Sequence, residues 1–429
     1  MVNQRQWERN NRVIANDAII YYAYLPAFFI YQDLTMNFKN EIKDKEVKIW
    51  AHKLDNENYV LKMSMGLAYL YSPFFAAAHA YSIVSGHRTN GYAPPYKLAL
   101  MLSSLVYLLL GLLALRKFLL NFVKDLTVGI TVLILVFGTN LAYYTIIEGQ
   151  MSHVYSFFLF ALFLLITKSW HTRQQFRTAI LLGIVSGLIS LIRPTNIVII
   201  LIFLFWNSFS VSDFKNNIYL FLQKYNHISI MILAGILVWL PQLFYWHNIT
   251  GSWLYYSYND ESFFFTNPVF MKGLFSFRKG WLIYSPVMIF SLVGIIHLFR
   301  MKHKYAVPVS IFTFMNLWII FSWWSWWYGG SFGQRAIIES YSLLALPLAI
   351  LIQRISTFKV PLKIITIALL FMFSTLGLWN SIKYYYGSIH WQSMTSEAYF
   401  DSFLKTRPNK TFYEKLERPD YEGAKKGDR

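Results

Sequence analysis

The 429-residue chain contains no cysteine, which excludes disulfide bonds, thiolate metal sites and cysteine nucleophiles. Acidic residues are scarce as well, with 21 Asp and Glu against 39 Lys and Arg. The first 16 residues are polar and basic, so the sequence shows no cleavable signal peptide. Alternating segments of about ten residues, which a transmembrane β-barrel requires, are not visible either. The sequence therefore excludes cysteine-based chemistry and argues against a transmembrane β-barrel.

Apolar residues are abundant instead. Hydrophobic residues make up 56% of the chain and aromatic residues 19%, and the mean hydropathy is +0.38. Many apolar windows approach the roughly 20 residues that cross a bilayer. They are 97–115, 126–146, 154–167, 178–192, 197–209, 228–246, 282–299, 305–321, 340–352 and 362–382, and two further runs, 19–31 and 63–84, are ambiguous. We therefore predict an all-α, polytopic transmembrane helix bundle of about 10–12 membrane segments.

The charges of the loops orient these helices. The short loops rich in Lys and Arg are cytoplasmic by the positive-inside rule: 116–125, 168–177, 300–304 and 354–363. The alternate loops are then extracytoplasmic: 86–96, 147–153, 193–196, 247–281 and 322–338. Part of the formal charge of +18 thus lies on the cytoplasmic face, where basic residues contact anionic lipid headgroups. Since no nucleic-acid-binding motif accompanies it, we expect membrane lipids and no nucleic acid as partners.

The sequence divides into three segments on this basis. Residues 1–96 form an N-terminal segment with the first external loop and interfacial helices, 97–383 a transmembrane helix bundle, and 384–429 a polar, extracytoplasmic tail. The runs 19–31 and 63–84 either both span the membrane or both do not. We expect both to lie in or dip into the outer interface, since the first is short and Pro26 interrupts it.

Asp17 stands directly before the apolar and aromatic run that ends at Asp33. A carboxylate beside a membrane-depth segment costs several kcal/mol unless it has a partner or a task. One interpretation is an N-cap, in which the Asp17 side chain accepts backbone N–H groups of the following helix. The other interpretation is a chemical role, and the two do not exclude each other.

Further polar side chains that suggest chemistry lie in the predicted external loops. They are Glu148 and His153 of the 147–153 loop, Arg193, and Tyr328 and Arg335 of the 322–338 loop. Arginine can hold a phosphate through two parallel hydrogen bonds. Structural alternatives stay open: Arg193 and Arg335 could snorkel to lipid headgroups, and His153 could be a satisfied interfacial histidine.

The 322–338 loop also contains four tryptophans and the run Gly329-Gly-Ser-Phe-Gly333. The tryptophans are typical of an interfacial aromatic belt. The glycine run lacks the Lys-Ser/Thr ending of a phosphate-binding loop, so it indicates a tight turn. In the long 247–281 loop, Arg278 and Lys279 are additional basic residues that could hold a phosphate.

The order of these features resembles a known superfamily. Asn16-Asp-Ala-Ile-Ile-Tyr-Tyr22 is followed by Tyr71-Ser-Pro-Phe-Phe75, Glu148-Gly-Gln-Met-Ser-His153, Leu191-Ile-Arg-Pro-Thr-Asn196 and the aromatic loop that ends at Arg335. Over residues 14–385 the chain resembles the GT-C superfamily of membrane glycosyltransferases, nearest to the protein O-mannosyltransferase and lipid A aminoarabinose transferase branches. The superfamily has a helix before the position of Asp17, so we expect related proteins to begin with one more helix.

The resemblance implies transfer of a hexosyl or pentosyl group from a polyprenyl-phosphate carrier to an extracytoplasmic lipid, glycan or protein. Asp17 matches the superfamily's first-loop acid, the base that activates the acceptor, and Glu148 matches its second-loop acid more loosely. The expected substrate-binding residues are Glu148, His153, Arg193, Tyr328 and Arg335. The expected location is the bacterial inner membrane, as a multi-pass protein.

Two other functions stay open, a transporter or flippase for a lipid-linked sugar and a non-catalytic membrane scaffold subunit. A transporter is expected to show inverted repeats and charged helix midpoints, whereas this sequence shows no internal repeat. We expect no cofactor, because no ligand cluster indicates one, although dependence on a divalent cation stays open.

Overall fold

The computed structural model describes residues 5–9, 12–40, 42 and 47–429, and these residues are mostly helical. The α-helices are α1 (Asp17–Tyr22), α2 (Tyr24–Phe29), α3 (Gly66–Val84), α4 (Pro94–Leu119), α5 (Asp125–Gly138), α6 (Leu141–Ile146), α7 (Ser152–Arg173), α8 (Phe176–Ile192), α9 (Ile200–Leu204), α10 (Val211–Gln223), α11 (Tyr225–Thr250), α12 (Phe270–Phe275), α13 (Trp281–Tyr284), α14 (Ile289–Arg300), α15 (Ala306–Ser322), α16 (Tyr341–Ile355), α17 (Val360–Tyr385), α18 (Ser396–Asp401), α19 (Lys410–Glu414) and α20 (Tyr421–Lys426). Short 3₁₀ helices span Gln6–Glu8, Asn37–Asn40, Pro194–Ile199, Pro286–Met288 and Arg335–Ser340. The strands β1 (His52–Lys53) and β2 (Tyr59–Val60) pair antiparallel, with His52 opposite Val60.

The apolar windows of the sequence become helices. Among the described residues, five helical segments are long and apolar enough to cross a membrane: Pro94–Leu119, Ser152–Arg173, Tyr225–Thr250, Arg335–Ile355 and Val360–Tyr385. Shorter apolar helices span Asp125–Gly138, Phe176–Ile192, Pro194–Leu204, Pro286–Arg300 and Ala306–Ser322. The predicted all-α membrane fold is therefore confirmed, and the chain is an integral membrane protein.

Some helix boundaries differ from the prediction. The window 126–146 is broken at Thr139, whose extended backbone (φ −127°, ψ −177°) separates α5 from α6. The expected break at Pro26 is also displaced, because α1 and α2 are separated at Ala23. Pro26 lies in the first turn of α2, where the missing N–H would have no partner within the helix.

The chain divides into two compact units made of interleaved stretches. The first unit comprises Met1–Gly111, Tyr144–Ile197 and Lys224–Asn259, and the second comprises Leu112–Tyr143, Val198–Gln223 and Asp260–Arg429. The division of the sequence into three consecutive segments stays a prediction. The charged residues Glu41 and 43–46 of the first predicted loop lie outside the described residues.

In the first unit, α8 and α11 pack closely because glycines lie at their contact. A Cβ added at Gly183 would overlap the carbonyl oxygen of Met231, and one at Gly187 would lie 2.9 Å from the carbonyl oxygen of Gly235. Such small residues let two membrane helices approach backbone to backbone. The Gly-x-x-x-Gly spacing on α8 thereby sets the contact with α11.

In the second unit, 89% of the most apolar stretch of the segment Arg335–Ile355 is buried inside the protein. For Val360–Tyr385 the buried share is only 11%. The first is therefore a core helix, packed against α14 and α5. The second leaves large apolar side chains such as Phe371 exposed, as expected for a helix that faces lipid. The start of the core helix carries Arg335.

Candidate functional site

Helices α7 and α8 form an antiparallel hairpin in the first unit. The two residues between them include Gln174 in the left-handed conformation (φ 38°). In a hairpin this short, the start of α7 and the end of α8 lie at the same end of the helix pair. The fold therefore brings the Glu148–His153 stretch and Arg193 to one end of the first unit.

Helix α3 holds the backbone just before Arg193. A Cβ added at Gly66 would lie 2.6 Å from the backbone nitrogen of Ile192, so only glycine permits this approach. The Ser64 hydroxyl donates a hydrogen bond to the carbonyl of Leu191. The half-buried Arg193 thus follows a backbone that is fixed against the start of α3.

Helix α3 also contacts the predicted external loop 147–153. Tyr71 donates a hydrogen bond from its hydroxyl to the carbonyl of Gln150, within the Glu148–His153 stretch. Gly149 packs directly on the Ser104 hydroxyl and the Thr145 carbonyl, which leaves no room for a side chain. Tyr71 lies five residues after Gly66, about 7.5 Å further along α3 at 1.5 Å per residue. The places on α3 that contact the segments of Glu148 and Arg193 are therefore close together.

Helix α1, which begins at Asp17, packs on this part of α3. The Tyr22 ring lies 6.5 Å from the Tyr71 ring and 6.0 Å from the Phe75 ring, measured between centroids. The Tyr22 hydroxyl donates to the carbonyl of Gly91 at 2.5 Å. Helix α3 is consequently the common support for the Asp17, Glu148 and Arg193 motifs.

The structure corrects the N-cap interpretation of Asp17. Helix α1 begins at Asp17, so the N-cap position belongs to Asn16, whose side chain makes no capping hydrogen bond. Asn16 has a positive φ of 52°, and its carbonyl accepts a hydrogen bond of 3.1 Å from the Trp50 indole. Asp17 is half-buried in the first turn, directly after this strained residue.

Glu148 and His153 differ in exposure. Glu148 is half-buried, and its carbonyl accepts from the backbone N–H of Met151 at 3.0 Å. His153 is only 3% exposed, and its ring meets Tyr144 edge-on at 5.1 Å. The position of His153 inside the first turn of α7 suits support of the loop as well as contact with a ligand.

Tyr328 and Arg335 lie in the second unit, on the glycine-rich stretch. Tyr328, Gly329 and Gly333 all have positive φ values, of 54°, 62° and 55°. The chain bends at both glycines, which use the conformational freedom for which the sequence predicted a tight turn. The Tyr328 hydroxyl donates to the carbonyl of Ile320 at 3.2 Å, and Asn140 donates to the carbonyl of Phe332 at 3.2 Å.

Arg335 begins the helical segment that continues into α16. It is half-buried, and its backbone N–H donates to the carbonyl of Gly333 at 3.1 Å. Gln334, just before it, is buried and donates to the carbonyl of Trp326 at 2.9 Å. The backbone that carries Arg335 is thus fixed on its N-terminal side.

The tryptophans of this loop belong mostly to a protein core. Trp324, Trp326 and Trp327 are 7%, 4% and 3% exposed, and they form a cluster with Ala424. The Tyr421 ring lies 5.4 Å from Trp327 and 6.0 Å from Trp324. The interpretation as an interfacial belt is therefore wrong for these three rings.

Arg278 and Lys279 bind backbone carbonyls. The Arg278 guanidinium donates to the carbonyls of Gln392 at 3.1 Å and Glu417 at 3.2 Å. The Lys279 ammonium donates to the carbonyls of Ser331 and Trp391. The sequence suggested phosphate ligands here, and no sequence signal pointed to these distant partners.

The part of the chain that the structure describes brings together no group of three His, Asp or Glu side chains suited to a metal ion. Whether activity depends on a divalent cation is tested by assay with and without a chelator.

No known protein family matches the sequence, and no curated protein is significantly similar to it. Among solved structures, the oligosaccharyltransferase of Archaeoglobus fulgidus in the apo form shares 13% sequence identity, with a TM-score of 0.53 over 94% of this chain and 56% of that chain. The oligosaccharyltransferase AglB from Archaeoglobus fulgidus, in complex with an inhibitory peptide and a dolichol-phosphate, gives 11% identity and a TM-score of 0.45 over 94% and 54%. The chain thus spans just over half the length of these archaeal proteins. The chain shares a membrane helical fold with the apo enzyme.

Proposed function

We propose that the chain is a membrane glycosyltransferase that moves a sugar from a polyprenyl-phosphate carrier to an acceptor hydroxyl on the extracytoplasmic face, with Asp17 as the base. The observation that carries the proposal is the convergence of the Asp17, Glu148 and Arg193 motifs on α3. The likeness in fold to an oligosaccharyltransferase supports a lipid-linked sugar donor.

The chemistry requires one base and one cation. The acceptor oxygen attacks the anomeric carbon, the bond between that carbon and the phosphate oxygen breaks, and the phosphate leaves with the electron pair. The Asp17 carboxylate takes the proton of the acceptor hydroxyl. A single displacement needs only one essential carboxylate, unlike retaining glycosidases, which need two about 5 Å apart.

The remaining residues bind the substrates in this proposal. Arg335 contacts the phosphate, whose charge grows as the bond breaks, and Arg193 is the alternative contact. Glu148 and His153 orient the sugar or the acceptor, and Tyr328 packs against the sugar. An assay with different donors decides whether the transferred sugar is a mannosyl, an aminoarabinosyl or another glycosyl group.

Asp17→Asn tests the proposal directly. Asn keeps the size of the side chain, and loss of the charge at a helix start costs only about 0.3–1 kcal/mol, so the protein should stay folded. Loss of a general base should lower the transfer rate by about 10²–10⁴-fold. Purified protein in liposomes, incubated with radiolabelled polyprenyl-phosphate sugars and candidate acceptors, gives the rate.

Asp33→Asn is the matched control, because Asp33 ends the same apolar run. One oxygen of its carboxylate accepts the backbone N–H of Thr35 and the other that of Phe38, both at 2.8 Å, and the single Asn oxygen can keep one of these two bonds. Transfer by this variant should stay within a few-fold of the parent. Equal activity of Asp17→Asn and the parent would remove Asp17 as the base. Movement of the lipid-linked sugar between leaflets without any transfer would favour the transporter.

A further inference from the structure

Three distant stretches of the second unit meet at one buried lysine. Lys279 is 1% exposed, and its ammonium donates hydrogen bonds to the carbonyls of Ser331 and Trp391, the latter at 2.6 Å. The backbone N–H of Ser331 also donates to the carbonyl of Trp391 at 3.1 Å. We call these contacts among Lys279, Ser331 and Trp391 the tail junction. It connects the glycine-rich turn to the C-terminal tail.

The side chain of Trp391 reinforces the junction. A Cβ added at Gly330 would lie 2.7 Å from the Trp391 indole, so the ring lies directly against the glycine backbone. Next to it, the His390 ring accepts the backbone N–H groups of Gln392 at 3.3 Å and Ser393 at 3.0 Å. Burial and the charges of Lys279 and Arg418 lower the pKa of His390, which keeps its ring neutral and able to accept.

The tail is held on the other side by Arg278 and Tyr421. Arg278 donates to the carbonyls of Gln392 and Glu417, and the Tyr421 hydroxyl donates to the Gln392 side chain at 2.7 Å. Tyr421 in turn packs on the Trp324 and Trp327 rings. The glycine-rich turn and the tryptophans before it are therefore attached to the tail.

The turn itself depends on such attachments. Tyr328, Gly329 and Gly333 have positive φ values, and Tyr328 pays a steric penalty for this conformation that glycine does not. A strained backbone persists only where the surrounding structure fixes it. Ser331, which receives the Lys279 bond, lies in the middle of the turn, four residues before Arg335.

We infer that Lys279 and Trp391 are positioning residues for Arg335, so that residues 390–393 of the tail form part of the apparatus for donor binding. This inference rests on the proposed contact between Arg335 and the carrier phosphate. In this inference Lys279 is not a phosphate ligand, because the side chain is buried and its ammonium donates to two backbone carbonyls. It fixes the turn, and the turn places the guanidinium where the phosphate is bound.

Lys279→Met is the first test, because Met keeps the length of the side chain without the charge. A misplaced Arg335 should raise the KM for the polyprenyl-phosphate sugar by about tenfold or more, while kcat at saturating donor falls less. Lys279→Arg should restore part of the donor affinity, since its guanidinium also donates to carbonyls. Lys405→Met, which removes an exposed lysine of the same tail, should leave both constants unchanged.

A second measurement reports on the junction without any activity. Ser331 is fully buried, so Ser331→Cys in this cysteine-free chain should react slowly with a thiol reagent. Addition of Lys279→Met or Trp391→Ala should accelerate the labelling about tenfold or more, because the turn then opens more often. Trp391 is 49% exposed, so Trp391→Ala should fold even where Lys279→Met does not.

The two measurements separate the possible failures. Labelling at the parent rate in both variants would refute the tail junction. Faster labelling with an unchanged donor KM would refute the link to Arg335. A parent protein that transfers no sugar from any donor would refute the proposed function, and with it the positioning role, whatever the labelling rate.

Discussion

Two strained residues lie beside the proposed chemistry. Asn16, with a φ of 52°, directly precedes Asp17, and Tyr328, with a φ of 54°, opens the turn that leads to Arg335. Conformations of this kind cost of order 1–3 kcal/mol and cluster at functional sites. Each is held by a side-chain hydrogen bond, from Trp50 to the Asn16 carbonyl and from Tyr328 to the Ile320 carbonyl. The backbone before Asp17 and the backbone at the start of the turn before Arg335 are therefore both held by a side chain.

Arg335 gives a prediction at the same scale. Lys keeps the positive charge of Arg335 but loses the planar fork that binds two phosphate oxygens, so Arg335→Lys should weaken donor use partly. Arg335→Ala should weaken it more, by about 1.5–3 kcal/mol, or roughly ten- to a hundredfold in the apparent donor affinity. Steady-state transfer at varied donor concentration measures this effect.

The acceptor affinity of both variants should change little. Arg354→Ala is the control, because Arg354 is an exposed arginine in the last turn of the same helical segment, α16. An unchanged donor affinity for Arg335→Ala would identify Arg335 as a headgroup anchor.

At the scale of elements, α3 organises the first unit. The sequence left the run 63–84 ambiguous, and the structure forms a 19-residue helix there that contacts the end of α8 before Arg193 and the loop after Glu148. Its location in the outer interface stays a prediction. A helix that touches three motifs transmits any displacement of one motif to the others, because packed interiors yield little.

The glycines of α8 give a prediction for helix packing. Gly183→Ala places a Cβ against the Met231 carbonyl and 2.7 Å from the Ala234 side chain, so α8 and α11 must separate. Overpacking of this kind should lower the free energy of unfolding by about 1–3 kcal/mol. Unfolding in mixed micelles, followed by circular dichroism, measures the change.

Gly129→Ala is the matched control. A Cβ added at Gly129, which lies in α5, meets no atom within 4 Å. This variant should be as stable as the parent or slightly more stable, since alanine favours helix. Equal stability of the two variants would contradict the close packing of α8 against α11.

At the scale of the whole molecule, the charges of the loops predict the sidedness. Four exposed positions in this cysteine-free chain serve as reporters: Thr89→Cys, Thr406→Cys, Thr172→Cys and Ser356→Cys. The first two should react with an impermeant thiol reagent in intact cells, because their segments are predicted to be extracytoplasmic. The other two should react only after permeabilisation. The reverse pattern would move Asp17, Glu148 and Arg335 to the cytoplasmic side.

The sequence was sufficient for the fold class and for most helices. A run of apolar residues as long as a bilayer is thick decides its own conformation, because an unpaired backbone in lipid is too costly. The window 340–352 was thus predicted to be helical without any tertiary information, and it lies within the helical segment Arg335–Ile355. The sequence also suggested Asp17 as a candidate site residue, since a carboxylate at the edge of an apolar run is conspicuous, and its role stays a prediction. The sequence placed the N-cap of the following helix at Asp17, whereas the structure places it one residue earlier, at Asn16.

Only the tertiary structure decided which residues meet. The hydroxyl of Tyr71 contacts the carbonyl of Gln150 across 79 positions, and Lys279 contacts Trp391 across 112. Lysine, tyrosine and tryptophan at these places fit a membrane surface as well as a buried junction, so composition could not separate the two. The three buried tryptophans show the same limit, because their burial depends on Tyr421 and Ala424 of the tail. Hydropathy is a property of each segment alone, whereas a hydrogen bond between distant segments depends on how the whole chain packs.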